Sequence, residues 1–303
     1  MRVGVTGSSG FIGTALVPAL RQRGDEVIRF VRPDSPPLTG SVVRWDPARH
    51  LVDDGDLARV AGFDAVIHLA GAGIADRRWS EARKEELVRS RIDSTALLVE
   101  ALATLSTGTP MLASGSAIGY YGSRGDEVLD ERSVPGSDFL ARLCAQWEGA
   151  ASLLRDQGST VATLRAGIVL DRSGGALKRQ LPLFRLGLGG QLASGRQWLS
   201  PISLHDHVRA LMWVIDHRVS GPVNLACPAP VTNKDFTKIL ATALHRRAVL
   251  TVPSLALRAV LGSQLVNGAV LASQRVLPRV LQESGFTFDQ PEASSIIAAA
   301  NLI

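Results

Sequence analysis

The feature that most constrains the fold is a glycine-rich turn at the start of the chain. The apolar run Arg2–Thr6 leads directly into Gly7, Gly10 and Gly13, and an amphipathic stretch follows over 14–23. This G-x-x-G-x-x-G is a spacing variant of the dinucleotide-binding fingerprint, in the strand–turn–helix context that the fingerprint requires. Glycine permits the tight turn, the approach of backbone amides to a pyrophosphate and close helix–strand packing. The helix N-terminus then offers free N–H groups to the anion. An ordinary βα turn is the alternative interpretation.

Strand-like and helix-like patterns alternate along the chain. They predict strands at Arg2–Thr6, Glu26–Val31, Val42–Trp45, Ala65–Leu69, Pro110–Ser114 and Val161–Ile168, with a short edge strand at Val223–Leu225. They predict helices at Gly13–Arg23, Ser80–Leu105, Asp138–Gln157, Val208–Asp216 and Thr232–Leu244, and a loop beginning at Gly174-Gly175. Such alternation predicts an α/β fold, a doubly wound parallel sheet with helices on both faces. Ligands of such sheets bind beyond the carboxyl ends of the strands, so the residues that follow each strand are the first candidates for a site.

The composition indicates which kinds of partner and which cellular compartment are compatible with this chain. The 303 residues carry a net charge of +5, but the basic residues are scattered without a long run or interleaved aromatics, which argues against nucleic-acid binding. The two cysteines, Cys144 and Cys227, have no zinc or redox spacing, which is typical of a reducing compartment. We see no signal peptide before the first strand, and no apolar run reaches the roughly 18–20 residues needed to span a bilayer. We therefore predict a cytoplasmic protein with no membrane partner.

The residue after the second strand predicts which dinucleotide is bound. An NAD site usually carries Asp or Glu there, to accept hydrogen bonds from the ribose 2′-hydroxyl. This chain carries Arg32, with Arg29 nearby, and a guanidinium suits the 2′-phosphate of NADP(H). A solvent-facing arginine at a strand end is the alternative.

Two histidine-containing segments are weaker candidates. His68 lies near the end of the fourth predicted strand, and a lone histidine there is more typical of a packed core than of a catalytic base. His205-Asp206-His207 suggests metal ligands, but the sequence offers no third ligand at a suitable spacing. Asp206 lies near a predicted helix start, where an N-cap is the better interpretation. We predict no metal site.

Together these motifs resemble the extended short-chain dehydrogenase/reductase superfamily. The matching residues are Thr6–Gly13, His68–Gly71, Ser114–Ser116 with Tyr120–Gly122, and Leu164–Gly167. Within it, the chain is similar to the atypical "epimerase family" group, also described as nucleoside-diphosphate-sugar epimerase-like, through Arg78-Trp79, Ser90–Ile92, Gly119–Gly122, Phe139-Leu140, Trp147-Glu148 and Leu183–Gly190. Val252-Pro253 and Gly285-Phe286 look like the small C-terminal domain of that group, here 250–303.

The resemblance implies a Rossmann-type fold with bound NADP(H). The implied Rossmann domain comprises residues 1–170 and about 203–227, and the smaller substrate-side lobe comprises 171–202 and 228–303. Cofactor-binding residues carried over by position are Gly7, Ser9, Gly10, Phe11, Ile12, Gly13, Arg32, Leu69, Ala70, Gly71, Arg91 and Ser114. For Arg91, a charge on the exposed face of a helix is the alternative.

The usual catalytic pair of this superfamily is missing. Ordinary members use a tyrosine followed four residues later by a lysine, whose ammonium group lowers the pKa of the phenol. The only tyrosines here, Tyr120 and Tyr121, have no lysine at that spacing. Alignment of the helix through Glu148 puts Leu140 at the tyrosine position and Cys144 at the lysine position. Neither residue can replace the pair, which puts ordinary hydride-transfer chemistry in doubt.

Ser116, Tyr120 and Tyr121 remain as candidate catalytic residues. Ser116 matches the catalytic serine of the superfamily, and either tyrosine could donate a proton; packing beneath the nicotinamide ring is the alternative role for both. The leading hypothesis is an NADP(H)-binding oxidoreductase or epimerase-like enzyme acting on an unidentified small molecule. The competing hypothesis is a non-catalytic NADP(H)-binding sensor or partner-binding module. The oligomeric state stays open.

Overall fold

The computed structural model describes residues 1–36, 39–59, 62–105, 108 and 110–302. The strands are β1 (Arg2–Thr6), β2 (Glu26–Val31), β3 (Val42–Asp46), β4 (Leu51–Val52), β5 (Ala65–His68), β6 (Met111–Ala117), β7 (Val128–Leu129), β8 (Val161–Ala166), β9 (Ile168–Asp171), β10 (Gly190–Leu192), β11 (Trp198–Leu199), β12 (Pro201–Ser203), β13 (Gly221–Leu225), β14 (Val231–Thr232), β15 (Leu250–Val252) and β16 (Arg275–Val276). The helices are α1 (Gly13–Gln22), α2 (Asp54–Arg59), α3 (Glu81–Ala103), α4 (Phe139–Ser152), α5 (Gly175–Arg185), α6 (Leu204–Asp216), α7 (Asn233–Ala243), α8 (Ser254–Leu261), α9 (Ser263–Leu265), α10 (Arg279–Glu283) and α11 (Ala293–Ala299). Single 3₁₀ turns lie at Ile118–Tyr121 and Leu153–Gln157, and a π-helical turn lies at Val266–Val270.

The central sheet has the predicted doubly wound form. Within the described residues, eight strands follow the order β13-β8-β6-β5-β1-β2-β3-β4, and all neighbours are parallel except β3 and β4. The chain proceeds outward from β1 in one direction through β2 and β3, and in the other through β5, β6 and β8. The gap between the carboxyl ends of β1 and β5 is therefore the topological switch point, where such sheets bind ligands.

Different helices cover the two faces of the sheet. Helices α1 and α6 bury Leu16, Leu20 and Leu211 against one face. Helix α3 buries Leu98 and Leu102 against the other. Because both faces are covered, the central strands β1, β5, β6 and β8 are buried along nearly their whole length instead of alternating between buried and exposed positions. Among the described residues, no helix is long and apolar enough to cross a bilayer.

A separate apolar core lies beside the sheet. Leu177, Leu181 and Phe184 of α5 pack there with residues of α7 and α11, including Leu240 and Ile296. The predicted division of the chain into a Rossmann domain and a substrate-side lobe stays a prediction. Ile303, the last residue of that lobe, lies outside the described residues.

Two local predictions need correction. Gly174-Gly175 does not begin a loop: the two glycines make a tight turn, bridged to Leu170 and Asp171, and α5 follows at once. Gly175 has a φ of +63°, which supplies this reversal, and Pro182 is tolerated inside the helix. The predicted strand Val161–Ile168 is divided at Gly167, where an added Cβ would lie 2.3 Å from the Ser200 carbonyl oxygen.

Candidate functional site

The glycine turn is held against the end of β5 in a way that only glycine permits. Gly7 has a φ of +64°, and an added Cβ would lie 2.7 Å from the Leu69 carbonyl carbon. The exposed Gly10 closes the turn by donating its N–H to the Gly7 oxygen at 3.0 Å. At Gly13 an added Cβ would lie 2.3 Å from that same oxygen, so α1 starts in contact with the turn. Thr14 and Ala15 already donate their N–H groups to the carbonyl oxygens of Gly10 and Ile12. Among the described residues, the amides without a hydrogen-bond partner are those of residues 11–13, where the turn meets α1, and these stay available to a bound anion.

The end of β5 is fixed by a buried threonine and histidine. The Thr6 hydroxyl oxygen accepts hydrogen bonds from the backbone N–H groups of Leu69 and Ala70, so its own proton goes to His68 Nδ1 at 2.7 Å. His68 Nε2 then donates to Thr95 Oγ1 at 3.0 Å. Burial lowers the pKa of His68 to about 3. His68 is therefore a neutral core residue that positions the loop after β5, as the sequence favoured.

Arg91 lies under this loop, and the alternative of an exposed helix charge is wrong. Its side chain is buried; Nη2 donates to the Ala72 carbonyl oxygen at 2.9 Å and Nη1 to that of Leu87 at 3.2 Å. The guanidinium stacks over the Trp147 ring at 5.1 Å. Gly71 is exposed above it, and a Cβ there would lie 3.4 Å from the guanidinium carbon. Arg91 thus supports the loop that the predicted cofactor would cross.

The other predicted cofactor residues differ in exposure. Ser9 is exposed, while Phe11 and Ile12 are half-buried. The Phe11 ring packs closely on Gly174: a Cβ added to Gly174 would lie 2.3 Å from a ring carbon of Phe11. Ser114 is fully buried within β6 and offers no exposed surface to a ligand. Contacts of these residues with a cofactor stay a prediction.

Arg32 is exposed just beyond the carboxyl end of β2, and Arg29 lies within that strand. Burial lowers the pKa of Arg29, whose Nη2 donates to the Thr39 carbonyl oxygen at 2.7 Å. Arg21 of α1 points its Nη2 to the same oxygen at 3.4 Å. None of the three arginines pairs with a carboxylate of the described residues. A positive region therefore borders the end of β2.

The candidate catalytic serine belongs to a buried ionic network. Ser116 of β6 and Arg165 of β8 are register partners in the sheet. The Ser116 hydroxyl donates to Glu148 Oε1 at 2.7 Å, and Arg165 grips both carboxylate oxygens, Nε at 2.8 Å and Nη2 at 2.9 Å. The Arg165 side chain is only 4% exposed. Such a bidentate pair fixes the plane of the guanidinium.

The two tyrosines have different surroundings. The Tyr121 hydroxyl donates to Asn224 Oδ1 at 2.7 Å and accepts from Arg165 Nη1 at 3.0 Å. The residue is fully buried, and burial raises the pKa of Tyr121 to about 12. The half-buried Tyr120 ring instead lies against the Arg165 guanidinium, 3.5 Å from its carbon to the ring centre. Within the part of the chain that the structure describes, the Tyr120 hydroxyl has no hydrogen-bond partner.

Leu140 and Cys144, which the sequence alignment puts at the positions of the usual tyrosine and lysine, are buried in α4 beside Gly119. A Cβ on Gly119 would lie 3.3 Å from the Cβ of Leu140 and 3.7 Å from Cys144 Sγ. Burial raises the pKa of Cys144 to about 11, so the thiol is uncharged at neutral pH. Sequence reasoning did not assign Glu148 or Arg165 to the site. The available signal was a charged residue inside the otherwise apolar strand β8.

The histidine–aspartate segment is also corrected by the structure. Ser203 is the N-cap of α6, and its hydroxyl accepts the N–H of Asp206, which lies in the first turn. His205, Asp206 and Asp289 lie close enough to share an ion, with ligand atoms within 4.8 Å of one another. However, Arg209 Nη1 already contacts both carboxylates, at 2.6 Å and 3.3 Å. Arg209 therefore supplies positive charge to both carboxylates.

A doubly wound parallel sheet with a glycine turn at its switch point defines a Rossmann-type nucleotide-binding protein. Residues 3–226 match the NAD dependent epimerase/dehydratase family, and residues 252–300 match a domain of unknown function, DUF1731. The chain belongs to the NAD-dependent epimerase/dehydratase family.

Individual relatives cover nearly the whole chain. Epimerase family protein Mb2239 of Mycobacterium bovis is 44% identical over 94% of this chain and 93% of its own length. The SDR39U1 homolog of Arabidopsis thaliana, which is named as chloroplastic, is 36% identical over 95% of this chain and 83% of its own. The crystal structure of human epimerase family protein SDR39U1 (isoform 2) with NADPH is similar with a TM-score of 0.89 at 33% identity, over the whole of both chains.

Proposed function

We propose that this chain binds NADP(H) at the turn formed by residues 7–13. The observation that carries the proposal is steric: a Cβ at Gly7 or Gly13 would meet backbone atoms at 2.7 Å or less, so the cradle is built for glycine. The backbone amides of residues 11–13, where the turn meets α1, would hold the pyrophosphate, and Arg32 would hold the 2′-phosphate. The similar human protein was crystallised with NADPH, which supports the choice of the phosphorylated dinucleotide.

We further propose an oxidoreductase or epimerase-like enzyme acting on a small molecule. The bound nicotinamide would supply hydride chemistry, and the protein would supply proton transfer. Tyr120 is our choice of proton donor, because its hydroxyl has no hydrogen-bond partner among the described residues, whereas the Tyr121 hydroxyl makes two hydrogen bonds in the core. Ser116, near the carboxyl end of β6, is hydrogen-bonded to Glu148, the carboxylate that pairs with Arg165. Neither a nucleic acid nor a membrane is proposed as a partner.

The second candidate function is a non-catalytic NADP(H)-binding sensor or partner-binding module. Leu140 and Cys144 favour it, because they fill the positions of the usual tyrosine and lysine with uncharged, packed side chains. A cytoplasmic location is proposed for either function. It is supported by the two cysteines, which are both unpaired and buried.

A calorimetric titration with NADPH and NADP⁺ tests the cofactor proposal. We expect saturable binding by the unchanged chain, and Gly13→Ala to weaken it by about tenfold or more, because the new Cβ displaces the turn from α1. Gly149→Ala is the matched control, because Gly149 is exposed in α4 with open space around it. This variant should bind NADPH as tightly as the unchanged chain. Absence of heat with both nucleotides would refute the proposal.

Turnover separates the two candidate functions. NADPH oxidation is followed with sugar nucleotides, aldehydes, ketones and quinones as substrates. Oxidation of any of these that disappears in Tyr120→Phe supports the enzyme. Tight NADPH binding with no oxidation across the panel supports the module.

A further inference from the structure

We propose that a basic apolar surface at the end of helix α5 binds an acidic segment of another protein that also carries apolar side chains. The surface is formed by the exposed residues of two segments, 183–188 and 246–250. Helix α5 has 11 residues, so this end lies roughly 16 Å from Gly174, where α5 begins and Phe11 packs. The inference therefore goes beyond the proposed function and holds for either candidate.

Large apolar side chains are exposed together in the two segments. Five of them are between 44% and 81% exposed: Leu183, Leu186, Leu188, Val249 and Leu250. The segments lie side by side, because Gly190 and Leu250 are register partners in the β10–β15 pair. Exposed apolar side chains are ordinary when they are scattered, whereas a group of them indicates a contact surface.

Three arginines border these apolar side chains. Arg246 donates from Nε to the Arg185 carbonyl oxygen at 2.9 Å, which brings both residues to the same helix end. Arg185 in turn donates from Nη2 to the Leu302 carbonyl oxygen, and Arg247 is exposed beside Arg246. Among the described residues, no carboxylate pairs with any of the three. Like charges held together in this way favour a partner that supplies carboxylates.

The surrounding chain has the same sign of charge. Residues 172–205 and 236–282, which include α5 and the β10–β15 pair, contain 11 Lys or Arg and no Asp or Glu. The rest of the chain has 22 Lys or Arg and 28 Asp or Glu, so its net charge is negative. An acidic segment is therefore attracted to this part of the molecule and repelled by the remainder.

Charge and packing favour an acidic polypeptide over the other possible occupants. A second copy in a two-fold contact would place the same arginines against one another. A membrane surface takes up a helix with a free apolar face, whereas the apolar face of α5, with Leu177, Leu181 and Phe184, is already packed in the core. An acidic polypeptide with apolar side chains supplies both the carboxylates and the apolar contacts that this surface lacks.

A labelled copolymer tests the surface on the full chain. The probe is a random copolymer of glutamate and tyrosine, and fluorescence anisotropy follows its binding at about 50 mM and about 500 mM salt. We expect binding that weakens at the higher salt, weaker binding of polyglutamate, and no binding of a lysine–tyrosine copolymer. Arg247→Glu and Leu186→Ser should each weaken binding of the probe by about fivefold or more.

Two exposed residues of the other half of the chain provide matched controls. Arg89→Glu repeats the charge reversal, and Leu51→Ser repeats the loss of an exposed leucine. Both variants should bind the probe as tightly as the unchanged chain. Circular dichroism checks that all four variants are folded.

The same measurements define the results that contradict this surface. No binding of the probe, equal weakening in the controls, or equal binding of polyglutamate or the lysine–tyrosine copolymer would overturn the proposal. Vesicles of phosphatidylcholine and phosphatidylserine and light scattering test the other occupants. Vesicle binding that Arg247→Glu and Leu186→Ser abolish would assign the surface to a membrane, and a dimer that Leu186→Ser dissociates would assign it to a second copy. Either result would also overturn the proposal.

Discussion

Arg32 and Arg91 illustrate how differently one residue type is used around a single turn. Arg91 is buried, with its guanidinium hydrogen-bonded to two carbonyl oxygens, and it supports the loop after β5. Arg32 is exposed beyond β2, with no carboxylate partner among the described residues. An exposed guanidinium at this position remains available for a phosphate. The identity of residue 32 should therefore control which dinucleotide is preferred.

Arg32→Asp tests that control at the scale of one side chain. A carboxylate repels the 2′-phosphate and accepts hydrogen bonds from a ribose 2′-hydroxyl, so the preference for NADPH over NADH should fall by about tenfold or more. Fluorescence titrations with both nucleotides measure the ratio of dissociation constants. Arg89→Asp, on the exposed face of α3, is the control and should leave the ratio unchanged. An unchanged ratio in Arg32→Asp would remove Arg32 from the cofactor site.

Helices α6 and α7 begin with the same local pattern but differ in what the first turn carries. Ser203 caps α6 and Thr232 caps α7, each by accepting the N–H of an aspartate three residues later. Asp235 of α7 is exposed. Asp206 of α6 is fully buried, and its carboxylate accepts the backbone N–H groups of Asp289 and Gln290. The start of α6, through Asp206, thus anchors the C-terminal segment at residues 289–290, whereas the similar start of α7 does not.

The two aspartates should respond differently to removal. Asp206→Ala leaves two backbone donors unpaired and breaks the ion pair with Arg209, so we expect a loss of about 3 kcal/mol in the free energy of unfolding. Asp235→Ala, the matched control, should cost less than about 1 kcal/mol because that carboxylate is in water. Urea unfolding at pH 7 measures both. Equal losses would contradict the anchoring role of Asp206.

At the scale of the whole molecule, helices cover both faces of the sheet, and two histidine side chains are buried in the interior as a result. His68 and His207 are both buried, and desolvation lowers the pKa of His68 to about 3 and that of His207 to about 4. An unfolded chain returns each histidine to a pKa near 6.5. The unfolded state therefore binds more protons below about pH 6.5, and stability is lost as the pH falls towards the folded values.

Acid should destabilise the fold through these two histidines. Each contributes a loss of about 2 kcal/mol between pH 7 and pH 5, so His207→Gln should reduce the total pH-dependent loss by about that amount. Urea unfolding of both chains at the two pH values gives the difference. His245→Asn, at an exposed histidine with a φ of +51°, should leave the pH dependence unchanged. The burial argument is wrong if His207→Gln loses as much stability as the unchanged chain.

Most of the fold could be predicted from local patterns. Strands β1 and β2 begin and end at the predicted residues, and Thr232, the first residue of the predicted helix Thr232–Leu244, is the N-cap of α7. Such features depend on neighbours within a few residues, which the sequence shows directly. The prediction was wrong at α5, because the glycines before it and Pro182 within it are typical of loops. There the helix is stabilised by the apolar core that it shares with α7 and α11.

The sequence by itself determined the glycine turn, the alternation that produces a doubly wound sheet, and the absence of a lysine four residues after either tyrosine. Only the tertiary structure decided which tyrosine hydroxyl is hydrogen-bonded in the core and which guanidinium lies against the other tyrosine ring. Tyr121 meets Asn224 across 103 residues of chain, and Arg165 meets Glu148 across 17. Turn geometry and periodicity follow from adjacent residues, whereas these contacts exist only where strands and helices that are distant along the chain pack side by side.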